Sequence, residues 1–201
     1  GQAGLLEKDF AESYPQLLQR EYRFLQRKYG LRPIFAPLLF LRMRPGNFPT
    51  IRLAQLAMLI YASAQLFSKI RDANSVEEVK ALLDITANDY WHYHYKFDEL
   101  SVFKKKTMGS AMINNVIINT IVPVLFTYGH YHGENAYKQK ALQWLEKIDA
   151  ESNSVTKGFN NLEITCRSAF DSQALLELKS NYCDKKRCLD CGIGNILLKK
   201  G

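Results

Sequence analysis

MGSAMINNVIINTIVPVLFTYGHYHGENAYKQKALQWLEKIDAE, Met108 to Glu151, decides the fold class. Its first part, Met108 to Val122, is apolar at most positions, shows no period-two alternation, and reads as a buried helix. Asn115 and Asn119, four apart on that helix, share a face and are expected to be buried with their amides satisfied. The last part, Asn135 to Glu151, places Leu142, Leu145 and Ile148 on one side of an amphipathic helix. Between them Gly129 and Gly133 bracket His130-Tyr131-His132, which reads as a loop. The apolar run Val116 to Phe126 is shorter than the ~18 residues of a membrane span and carries Asn119 and Pro123, so no membrane contact is expected.

The same rhythm extends outward. Towards the N-terminus, Ser13 before Pro15 reads as a helix N-cap. Leu18, Tyr22, Leu25 and Tyr29 then recur on one face, and Gly30 stands at the C′ position. Pro33, Pro37, Pro45, Gly46 and Pro49 break the pattern, so this stretch reads as a loop or a short broken helix. A helix with a wide apolar face begins near Thr50, with Pro49 in its first turn. Ser75-Val76-Glu77-Glu78 is a capping box that opens another. Asp89 to Phe97 is aromatic and fits neither period. Towards the C-terminus, Ser152 to Asn161 reads as a polar loop, and Asp171 or Ser172 as the cap of a helix bearing Leu175, Leu176 and Leu178. The expectation is an all-α, compact multi-helix domain of about six to eight helices. One helical domain spans residues 1–201.

The 201 residues are 47% hydrophobic and 23% charged, with 27 Lys and Arg against 20 Asp and Glu, a net charge of +7. That is an ordinary globular composition with a moderate basic excess, compatible with nucleic acid or another polyanion as partner. Four cysteines and no apolar leader at the first residue point to a reducing, cytoplasmic setting. Walker, nucleophile-elbow, zincin and dinucleotide-binding patterns are all missing, which leaves no catalytic residue to name.

Three places can carry chemistry. Cys183, Cys188 and Cys191 fall within nine residues, and Cys166 lies 17 residues upstream. Four such sulfurs suit zinc or an iron–sulfur cluster. Packed reduced thiols and a redox pair are the competing readings. The four histidines lie in two tripeptides, His92-Tyr93-His94 and His130-Tyr131-His132, and read as members of aromatic clusters. Arg42, Arg44 and Arg52 surround the start of the Pro49 helix, where free N–H groups and the helix dipole favour an anion. Lys104, Lys105 and Lys106, and Lys185, Lys186 and Arg187, are basic runs suited to phosphate.

RMRPGNFPTIRLAQLA (Arg42–Ala57), YWHYHYKF (Tyr90–Phe97), NNVIINTIVPVLFTYG (Asn114–Gly129) and SQALLELKSNYCDKKRCLDCGIG (Ser172–Gly194) resemble a bacterial family, domain of unknown function 2851. The resemblance implies that this chain corresponds to the C-terminal half of proteins about twice its length. Their N-terminal domain would then be a partner. It implies no activity, cofactor or site residue.

Three functions follow as expectations. The first is a non-catalytic helical module binding nucleic acid or another polyanion. The second is a metal-binding domain or enzyme built on the cysteines. The third is a structural domain packing on an N-terminal half.

Overall fold

The structure, a computed structural model, describes residues 1–34, 38, 40 and 44–199. It is all-α apart from one short hairpin. The helices are α1 (Ser13–Tyr29), α2 (Pro49–Ala62), α3 (Leu66–Asp72), α4 (Val76–Leu83), α5 (Ser110–Val116), α6 (Val122–Tyr131), α7 (Asn135–Lys147), α8 (Ser154–Asn160), α9 (Ala169–Glu177) and α10 (Gly192–Lys199). Strands β1 (His94–Lys96) and β2 (Glu99–Leu100) pair antiparallel, with His94 opposite Leu100. The residues group into two compact units. The first comprises Gly1–Leu66 and Ala81–Gly109, the second Phe67–Lys80 and Ser110–Gly201.

The first unit closes over Leu6, Phe10, Ile51, Ala87, Trp91 and Phe97, with Leu18 and Tyr22 of α1 and Ala54 of α2 packed against them. Pro49 is the first residue of α2, where its missing N–H costs nothing. The inward face of α2 is narrower than its composition implied: Ile51, Gln55 and Leu59 are buried, while Leu53, Leu56 and Ile60 are exposed. Buried Gln55 donates from Nε2 to the Lys106 carbonyl at 3.2 Å. The aromatic stretch is a 3-10 turn (Asp89–His92) running into β1. Asp98, at φ 59°, forms the turn of the hairpin.

Ser13 does not cap α1. The N-cap is Glu12, whose side chain makes no cap bond. The backbone N–H groups of Ala11 and Glu12 instead donate to the Asp98 carboxylate at 2.8 and 3.2 Å. A capping group 86 residues away is invisible to a local reading. Gly30 terminates α1 as expected, in the left-handed region at φ 62°.

In the second unit, α5, a π-helical turn (Ile117–Ile121) and α6 form one helix of 22 residues, Ser110–Tyr131. Pro123 explains the π turn. It has no N–H to give Asn119, and its ring would crowd that carbonyl. The Val122 N–H reaches one residue further back, to Ile117, and the helix continues past the proline. By length and composition this helix could cross a membrane; here it buries Ile113, Ile117, Ile121 and Leu125 and packs on α7. Asn115 and Asn119 lie on its exposed side, with Asn119 Nδ2 donating to the Asn115 carbonyl at 3.1 Å.

The expected loop at His130–His132 is the last turn of α6. The Glu134 N–H donates to Gly129 at 2.8 Å and the Gly133 N–H to His130 at 3.3 Å, with Gly133 at φ 72°. This is a Schellman ending, and it folds α7 straight back onto α6. Lys140 of α7 donates from Nζ to the carbonyls of Arg71 and Ala73, both at 2.9 Å, stabilising the end of α3. The forward half of the capping box at Ser75 forms, the Glu78 N–H donating to Ser75 Oγ at 3.2 Å, while the return bond shifts one residue, the Glu78 carboxylate accepting from the Asn74 N–H at 3.0 Å.

Two further boundaries differ from expectation. Ser152 to Asn161 is mostly helix α8, because Asn153 and Thr156 form a reciprocal capping box. Helix α9 is capped by Ser168 rather than by Asp171 or Ser172. Ser172 is fully buried, with Oγ donating to the Ala169 carbonyl at 3.0 Å.

Candidate functional site

Cys183 ends a π-helical turn (Leu178–Cys183), Cys188 lies in the following loop, and Cys191 precedes α10. Gly194 holds α10 so close to the Cys188 carbonyl that no side chain would fit there. All three thiols are free and line one cavity of about 330 Å³, together with Phe159, Leu175, Tyr182, Arg187 and Leu197. Cys166 is not in that lining; burial, aided by the Asp171 carboxylate, pushes its thiol up from the usual range. Three of the four cysteines therefore share a cavity. Among the described residues no three His, Cys, Asp or Glu side chains are arranged to hold a metal ion.

The neighbouring basic residues are largely engaged. Arg187 bonds Asp190 at 3.0 Å and lies over the Tyr182 ring, Lys185 donates to Asn181 at 2.6 Å, and Lys179 pairs with Asp184. Lys186 is exposed.

The histidines fall in separate units, His92 and His94 in the first, His130 and His132 in the second. His94 is buried in a cluster that no local pattern announced. Its Nδ1 donates to the Tyr90 carbonyl at 2.8 Å, and its Nε2 lies 3.0 Å from Glu12 Oε1. The carbonyl can only accept, so Nδ1 carries hydrogen, and Nε2 faces the Glu12 carboxylate. The Tyr90 hydroxyl donates to Glu12 Oε2 at 2.5 Å and accepts from the Asp98 N–H at 3.2 Å. Burial, and then the bond to Glu12, hold the Tyr90 phenol well above its usual range. The Tyr90 ring stacks on His94 at 4.0 Å and on Tyr14 at 4.4 Å. The cluster fastens residues 11–14 to residues 90–98. The adjoining apolar cavity, lined by Leu5, Leu18, Tyr22, Trp91 and Phe97, includes none of Glu12, Tyr90 and His94. The cluster acts as a clasp between these two segments.

Of the three arginines expected around Pro49, the structure describes two. Arg42 lies outside the described residues. Arg44 is exposed. Arg52 is already committed, donating to Gln55 Oε1 at 2.9 Å and Asn47 Oδ1 at 2.5 Å, and burial lowers its pKa from the ordinary value. Lys104 and Lys105 are exposed. Lys106 is not a surface residue: it is 4% exposed, with Nζ 3.8 Å from the Tyr95 ring centroid and donating to the carbonyls of Lys104 and His92 at 3.1 and 3.4 Å.

A more regular basic surface lies on α1, where Arg20, Arg23 and Arg27 recur at i, i+3 and i+7 and are all exposed. Arg20 is 4.0 Å from Glu21; among the described residues neither Arg23 nor Arg27 has a carboxylate within ion-pair distance. The first unit holds 13 Lys and Arg against 8 Asp and Glu, a net +5 of the chain's +7. The string QREYRFLQRKY held this signal, on the face opposite the apolar one that drew attention to the helix.

The protein-family model described as Protein of unknown function (DUF2851) matches residues 1–154. No curated protein and no solved structure matches the chain.

Proposed function

The chain belongs to that family of proteins of unknown function, and we propose that it is a non-catalytic helical module whose first unit binds a polyanion, nucleic acid foremost, along α1. The observation that carries this reading is the row of exposed arginines Arg20, Arg23 and Arg27. Like charges three and four apart cost an isolated helix a few tenths of a kcal/mol. A phosphate backbone laid along the row removes that repulsion and releases counterions. Arg44, Lys104 and Lys105 add positive charge to the same unit.

Three phosphate contacts give a slope of log K against log salt of about −2.7 for a duplex, a loss of about 40-fold between 50 and 200 mM. Fluorescence anisotropy with a labelled 20-mer duplex tests this. Binding that weakens on that scale, and is lost in the Arg20→Glu, Arg23→Glu, Arg27→Glu variant, supports the reading. Binding absent at 50 mM salt, or indifferent to the triple substitution, refutes it.

A second reading rests on the cavity shared by Cys183, Cys188 and Cys191. There the three thiolates would hold zinc or an iron–sulfur cluster, with the loop closing on the metal and a fourth ligand recruited. Elemental analysis of the purified chain, with thiols counted before and after denaturation, decides it. Stoichiometric metal and masked thiols favour it, and neither being found removes it.

A further inference from the structure

Phe24 borders the arginine row on α1. Arg20 and Lys28 lie one helical turn to either side of it, four residues away, and Arg27 three. The Phe24 side chain is 59% exposed, so the ring is open to a ligand. Tyr29, at the end of the same helix, is 61% exposed. Lys28 Nζ lies 6.0 Å from the Phe24 ring centroid, so cations and an aromatic ring share one surface, while Tyr29 belongs to the apolar face. A ligand matched to it needs closely spaced negative charges and open aromatic faces. Duplex nucleic acid supplies the charges but keeps its base faces stacked inside. An acidic polypeptide supplies the charges without the faces. A single strand supplies both, and every base has a face to stack on.

We infer that the outer face of α1 binds single-stranded nucleic acid, with Phe24 stacking on a base while Arg20, Arg23 and Arg27 hold the flanking phosphates. The inference rests on the polyanion reading of the same helix and narrows it. Charge complementarity selects the strand over an uncharged partner, and the exposed ring selects it over a duplex.

The test uses the whole chain, with anisotropy of labelled oligo(dT) 12-mer, a 12-bp duplex and poly-glutamate at one salt concentration. Oligo(dT) binds tightest. Phe24→Ala weakens it about 5- to 160-fold, the range for losing one base–aromatic stack, while duplex affinity changes less than about twofold. Phe24→Trp keeps the preference for the single strand. Far-UV circular dichroism controls for folding, and a helical surface position tolerates alanine. Equal affinity for strand and duplex, an equal loss on both in Phe24→Ala, or poly-glutamate binding as tightly as oligo(dT), overturns the inference and leaves the polyanion reading standing. Failure of all three ligands to bind overturns both.

Discussion

Gly129→Ala and Gly158→Ala make the same chemical change with opposite expected signs. Both glycines lie in helices, α6 and α8, where alanine is favoured by about 0.5–1 kcal/mol. At Gly158 an added Cβ meets nothing within 4 Å. That variant is expected to be more stable by about 0.5–1 kcal/mol. At Gly129 the Cβ would lie 2.8 Å from the Glu134 carbonyl oxygen, 3.0 Å from the Lys138 nitrogen and 3.0 Å from the Tyr137 Cβ. Two of these atoms are backbone of the turn and first coil of α7, and cannot swing aside as a side-chain end would. Forcing them apart costs about 1–3 kcal/mol and outweighs the helix term. The net expectation is a loss of about 1–2 kcal/mol. Equilibrium urea unfolding, followed by the fluorescence of Trp144 in a Trp91→Phe background, isolates this unit, because the chain's 2 tryptophans fall one to each. A Gly129→Ala chain as stable as its parent, or a shift of both variants in the same direction, would sink the claim that glycine at 129 is what lets α7 fold back on α6.

Tyr90 has a folded-state phenol pKa raised by burial and by its bond to Glu12. The stability it contributes is complete below the unfolded value near pH 10 and is lost as pH rises beyond it. Unfolding midpoints of the parent should therefore decline more steeply above about pH 10 than those of Tyr90→Phe, and parallel declines would contradict the clasp. Lys106→Met removes two hydrogen bonds and a cation–π contact from a buried position. It should cost about 1–3 kcal/mol in urea unfolding and leave polyanion affinity unchanged; an affinity loss matching that of Lys105→Met would return Lys106 to the surface. Iodoacetamide at pH 7.5, mapped by peptide mass, should modify Cys183 and Cys188 ahead of Cys166. The first two are exposed, and burial and Asp171 keep the last as thiol. Protection of Cys183, Cys188 and Cys191 until a chelator is added would favour the metal reading instead.

What the chain alone determined is what lies within one helical turn. Gly30 as terminator of α1, Pro49 at the head of α2 and Ser75 as the cap of α4 are all interactions between residues one to five apart, so the all-α class was legible; on α7 the inward face is Ala141, Trp144, Leu145 and Ile148, with Leu142 turned to solvent. Local signals also failed in local ways. Asn153 and Ser168 capped helices where loop residues or later caps were expected, since several Ser, Asn and Asp competed for the same role. The arginine row of α1 was present in the string but hidden behind its apolar counterpart. Only the tertiary structure decided the rest. Glu12 meets His94 across 82 positions, Asp98 satisfies Ala11 across 87, and Gln55 reaches the Lys106 carbonyl across 51. Burial, too, is a property of the assembled chain, and it withdrew Lys106 from a basic run while leaving Phe24 in water. The physical reason is that a backbone cap or a helical period is set by bonds along the chain, whereas a long-range clasp, a shared cavity or an exposed ring depends on which distant segments folding brings together.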